Sequence, residues 1–143
     1  MQVKIKNMYL QASASFMYEL TLRGKQSRYR SKFVKILNEK LKELAEDELS
    51  LIKEYTGEDA EGNPIKNKQG SYDVSDTAKF RKDQQELLEE EAVIEGEGNR
   101  EMIKVIKQVL TDYDGDISGK NADAFDYLCD IFGVDEDLEG GEK

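Results

Sequence analysis

Histidine and tryptophan are absent from this chain, and cysteine and proline occur once each, as Cys129 and Pro64. Without His, the commonest general base and metal ligand are missing, which excludes Ser-His-Asp and Cys-His nucleophile systems and His-containing zinc sites. One Cys makes neither an internal disulfide nor a Cys-rich zinc site. What remains is carboxylate-only or Lys-based chemistry, and no motif supports either. The expectation is a non-enzyme that uses no cofactor. Long apolar runs are also lacking, so nothing approaches the roughly twenty residues needed to span a bilayer. The opening "MQVKIKNMYL" alternates Val3 and Ile5 with Lys4 and Lys6 and has no apolar run like that of a secretory signal, so a reducing cytosol is the expected compartment.

What the chain has in quantity is charge. Hydrophobic residues make up 38% and charged residues 36% of its 143 positions, so one domain with a thin core and an elongated shape is expected. The charge is divided along the chain. Residues 1–42 carry ten Lys/Arg against two acids, net +8, whereas residues 43–143 carry eleven against twenty-nine, net −18. A cationic end and an anionic end suit docking onto a charged partner or onto further copies.

The periodicities predict a mainly α fold: a helical hairpin built on one long amphipathic helix, with short β elements. Residues 2–6 alternate as a strand does. Asn7 reads as an N-cap for a first helix carrying Leu10, Ala14, Met17 and Leu20, with Gly24 as its terminating glycine. A second helix is expected over about Ser27–Tyr55, about 43 Å long at 1.5 Å per residue. Val34, Leu37, Leu41, Leu44, Leu51 and Tyr55 form its heptad stripe, broken at Glu48 and widened by Phe33, Ile36 and Ile52, which places Leu41 and Leu44 in the core.

Turn formers at Gly62-Asn63-Pro64 and Gln69-Gly70 mark residues 57–75 as a small β-hairpin or ordered loop. Ser75 or Asp76 caps a third helix running to about Glu91, antiparallel to the second, with Phe80, Gln84, Leu87 and Leu88 inward. Val93 and Ile94 can pair with the N-terminal strand. Asn99 reads as the cap of a fourth helix, with Met102, Ile103, Ile106, Val109, Leu110 and Tyr113 on its apolar face. A fifth helix carries Ala122, Phe125, Leu128, Cys129 and Phe132 and stops at Gly133. Residues 1–133 are thus expected as a single helical domain, and residues 134–143 as an acidic, flexible tail.

Three constellations invite a functional reading. The run "DYDGDISGKNAD" resembles a calcium loop, but counting from Asp112 puts Ile117 where the turn needs Gly, and counting from Asp114 puts Phe125 where a bidentate acid belongs. It reads as a turn between helices, with no metal. The cluster Arg23, Lys25, Arg28, Tyr29, Arg30, Lys32 and Lys35 is the candidate site for a partner or an anion; its alternative is a solvated helix face paired with the molecule's own acids. A net charge of −10 argues against nucleic acid. The acidic stretches at Glu86–Glu91, Asp112–Asp116 and Asp135–Glu139 could imitate a nucleic-acid backbone or serve solubility alone.

The segments "VKIKNMYL", "KQSRYRSKFVKIL", "LIKEYTGEDAEGNPI", "EEEAVIEG" and "DAFDYLCDIF" together resemble a family of small proteins from phages and prophages of Gram-positive bacteria, catalogued as a domain of unknown function. The resemblance extends to about residue 132 and carries no catalytic signature. It implies a phage accessory role without saying which. The long amphipathic helix and the charge layout add protein–protein contact, and the expectation is an accessory of virion (tail) assembly in the cytoplasm of the bacterial host. A homo-oligomer is one form that contact could take. An acidic inhibitor of a host nucleic-acid enzyme or defence protein is the alternative.

Overall fold

A computed structural model describes residues 1–134. In chain order it runs β1 (Gln2–Lys6), a 3₁₀ turn (Asn7–Tyr9), α1 (Leu10–Glu19), α2 (Gly24–Thr56), α3 (Thr77–Glu89), β2 (Glu91–Glu95), α4 (Glu97–Asp112) and α5 (Gly119–Phe132). The chain is mainly α, with one two-stranded antiparallel sheet among the described residues. In that sheet Val3 pairs with Ile94, Lys4 with Val93 and Ile5 with Ala92. The period of two therefore buries Val3, Ile5 and Ile94 and leaves Lys4 and Val93 in solvent.

The core lies where α1, the first two-thirds of α2, α4 and α5 close on the inner face of this sheet. Leu10 and Met17 of α1, Phe33 and Leu37 of α2, Met102, Ile106 and Leu110 of α4 and Leu128 of α5 are all fully buried. Burying side chains of this kind stabilises by about 1.5–3 kcal/mol each. Phe33 meets Phe132 edge-on at 5.7 Å, and Phe16 packs against Tyr113 and Phe125 at 5.7 and 5.8 Å. These contacts join rings of α1, α2 and α5, and Tyr113 just past α4, in two aromatic groups. Val134, expected to begin the tail, is buried at its edge; residues 135–143, the rest of that expected tail, lie outside the described residues.

Helix α2 is 33 residues long, about 50 Å at 1.5 Å per residue, and only its first two-thirds enter the core. Val34, Leu37 and Leu44 of the heptad stripe are buried; Leu41 is half-buried against the core rather than within it, and Leu51 and Tyr55 are half-buried further along. Burial ends at Leu44, one turn before the Glu48 break. From there α2 continues outward and pairs with α3 as the expected antiparallel hairpin. Tyr55 meets Phe80 at 5.5 Å and donates a short hydrogen bond to Asp83. No residue of α3 is buried. Asp76 caps this helix, its carboxylate accepting from the Lys79 N–H at 3.1 Å. Residues 45–86 thus form an arm that projects from the packed body.

Three expected caps have other roles. Asn7 does not cap α1; its side-chain amide donates to the Leu87 carbonyl and its N–H to the Glu90 carbonyl, both at 2.8 Å, tying the end of α3 to the body. Gly24 does not end α1, which stops at Glu19, but opens α2 with φ +54°, a conformation that favours glycine. Asn99 lies inside the first turn of α4, where its amide donates to the Glu95 carbonyl at 2.9 Å, and Gly96 precedes the helix instead. Gly133 does end α5 as expected, in the left-handed conformation.

Candidate docking site

The seven residues of the basic cluster are close in sequence, but a helix turning 100° per residue sends them to different faces of α2. Lys25, Tyr29 and Lys32 face α4. Lys25 makes a 2.7 Å ion pair with Glu101, and Lys32 donates to the Gly98 carbonyl at 3.1 Å. The hydrogen bond between them holds Lys25 above, and Glu101 below, their ordinary titration ranges. The ammonium groups of Lys25 and Lys32 both approach the Tyr29 ring, at 6.0 and 5.9 Å. These three residues staple α2 to the start of α4. The Tyr29 ring is flanked by the protein's own cations.

Arg30 points the other way. One guanidinium nitrogen donates to the carbonyls of Met17, Tyr18 and Leu20, at 3.0, 3.2 and 2.5 Å. These acceptors lie at the C-terminal end of α1, where unpaired carbonyls and the helix dipole favour a cation. Arg30 is therefore chiefly an anchor for α1. Arg23 and Arg28 are exposed near the start of α2, apart from the groove formed further along the helix.

Lys35 is the member of the cluster that faces an open recess. A groove of about 460 Å³ runs between the end of α1 and α2, with Tyr18, Arg30, Val34, Lys35, Glu39 and Lys42 along it. Val34 and the Tyr18 ring form an apolar floor and wall; Lys35 and Lys42, two turns apart on one face of α2, form a cationic rim, with Glu39 between them. Tyr18 is 74% exposed, the most accessible large hydrophobic side chain among the described residues. The sequence reading stopped the cluster at Lys35 and missed Lys42. The i, i+7 spacing of the two lysines was the signal available for it.

The calcium-like segment forms the connection from α4 to α5. The Tyr113 hydroxyl folds back over it, so close that a side chain on Gly115 would meet this oxygen at 2.7 Å. Among the described residues no group of three carboxylates or thiolates is placed to hold a metal ion. No helix among them is long and apolar enough to cross a membrane.

At the far end of the molecule, the loop over residues 57–75 is held by two antiparallel bridges, Glu58 with Pro64 and Lys66 with Tyr72. Asp59 accepts from the N–H groups of Glu61 and Asn63, and Asn67 from those of Gln69 and Ser71, so each turn is closed by a side chain. The loop is ordered, and only Pro64 within it is buried.

No protein-family model, curated protein or solved structure matches this chain. The functional reading therefore rests on its own surfaces.

Proposed function

We propose that this chain is a non-enzymatic docking protein that engages a protein partner through the groove between α1 and α2. In the phage setting implied by the sequence resemblance, it is an accessory of virion (tail) assembly working in the cytoplasm of the bacterial host. The observation that carries the reading is the groove itself. Lys25, Arg30 and Lys32 are engaged within the fold, whereas Lys35 and Lys42 frame an accessible apolar recess beside an exposed Tyr18. An apolar anchor with a charged rim gives a docking site both affinity and steering. The partner it suits presents an apolar side chain flanked by acids.

The test is affinity capture from infected cells with wild-type protein and with the Lys35→Glu/Lys42→Glu variant, the captured proteins being identified by mass spectrometry. A virion structural protein held by the wild type and lost by the variant is the expected result. Equal capture of the same proteins by both would remove the groove from the function. Capture of a host nuclease or polymerase, retained by the variant, would favour inhibition through the acidic surface.

A further inference from the structure

We infer that the occupant of this groove is the arm of a second copy of the same chain, so that the protein assembles head to tail. The inference rests on the groove being a docking site, and it names what docks there.

The arm carries the complementary surface. Three exposed large hydrophobic side chains, Leu49, Ile65 and Tyr72, belong to it. Leu49 and Tyr72 border one shallow hollow with Asp59, Pro64 and Lys66, and the Lys66 ammonium lies 5.6 Å from the Tyr72 ring. The loop that presents this patch is ordered by its own turns, so little conformational entropy opposes its use as a rigid plug. Charge matches as well. Residues 45–86 carry six Lys/Arg against eleven Asp/Glu, net −5, facing a groove rimmed by Lys35 and Lys42. Each surface thus offers an exposed apolar element within a field of the sign opposite to the other's.

The contact must form between molecules. Groove and patch share one continuous helix: the groove runs along α2 to Lys42, and the patch begins on the same helix at Leu49. Seven residues of helix, about 10 Å, separate Lys42 from Leu49. A straight helix cannot fold its end back onto its own middle, so the arm reaches only a neighbour's groove. Two different surfaces meet, and used head to tail they leave an unfilled arm and an unfilled groove at the ends, whereas reciprocal two-fold exchange would stop at a dimer. Copies added head to tail close into a ring or extend as a filament.

The decisive experiment uses two variants and sedimentation velocity at low ionic strength. Lys35→Glu/Lys42→Glu destroys the groove rim and keeps the arm; Leu49→Ser/Tyr72→Ser destroys the arm patch and keeps the groove. All four positions are exposed or at the surface, and circular dichroism of each variant confirms its fold. Wild-type protein should grow in mass between about 10 and about 500 µM, and this growth should fade as salt rises past about 0.15 M. Each variant alone should remain monomeric. Mixed, they should give a complex of one copy of each that grows no further, because one usable arm and one usable groove remain and are consumed.

A wild-type protein that stays monomeric over this range, or that stops at a dimer, overturns the inference, as does either variant alone associating like the wild type. So does a mixture that fails to combine while the wild type associates. A monomeric wild type that nonetheless captures an identified foreign partner through Lys35 and Lys42 would overturn the head-to-tail contact and leave the docking reading standing.

Discussion

The body and the arm are built from the same long helix, yet they spend their residues differently. In the body, α2 presents Phe33 and Leu37 to three other helices and both are fully buried. In the arm the same helix has only α3 and the loop for company, and Leu51, Ile52 and Tyr55 are half-buried. The body's stability comes from apolar burial. The arm is held by the Tyr55–Phe80 contact, the Tyr55–Asp83 hydrogen bond, the Asp76 cap and the Asn7 tether at its base. A helix that leaves its core in this way trades local stability for reach.

The largest effect expected from this contrast is at Phe33. Replacing it by Ala removes the ring that packs against Phe132 in the centre of the body and should cost about 3–5 kcal/mol, a large part of the stability of a domain this size. Denaturant unfolding followed by circular dichroism measures it. A loss no greater than that of an arm variant would place the core elsewhere.

A matched pair sharpens the comparison along α2 itself. Leu44→Ala, at the last buried position of the stripe, should cost about 2–3 kcal/mol, whereas Leu51→Ala, two turns further out, should cost about 1 kcal/mol. Equal losses would mean that the arm packs as the body does. Arg30→Ala should cost about 1–2 kcal/mol by leaving the end of α1 uncapped, with the loss localised to that helix in amide exchange.

The smallest effect concerns pH. The hydrogen bond from Tyr55 to Asp83 pushes the phenol's pKa up to about 12, from an ordinary value of 10. Because the folded value is raised, the contribution of this bond is complete below pH 10 and fades as the pH rises toward 12. Ultraviolet titration should therefore show a phase near pH 12, beyond that of Tyr127, which burial also raises, and this phase should disappear in Tyr55→Phe. Loss of that late phase in Asp83→Asn as well would identify its cause.

How much of this could be seen in the sequence depended on the range of the interactions. The alternation of Val3 and Ile5 with lysines, matched by Val93 and Ile94, was enough to pair β1 with β2. The heptad stripe marked α2, and the Glu48 interruption falls one turn past the point where burial ceases. Both signals are local periodicities. The misreadings at Asn7 and Asn99 arise because an asparagine suited to a cap is equally suited to a tether, and its choice was made by carbonyls at Leu87 and Glu95. The basic cluster was legible as a concentration of charge but not as a site. Which cations point at α4, at the end of α1 or into the groove depends on helices that arrive from elsewhere in the chain. Lys42 was overlooked because it sits among acids in sequence, although it shares a face with Lys35.

Native-state hydrogen exchange tests the division of the molecule most directly, since it reports the opening free energy amide by amide. The amides of α1, of α2 up to Leu44 and of α4 and α5 should exchange only through global unfolding. Those of residues 49–56 and 77–86 should exchange through a lower-energy opening that leaves the body intact and scarcely responds to denaturant. Uniform protection from Phe33 through residue 86, lost in one cooperative step, would show that body and arm are a single packed unit and would contradict the account.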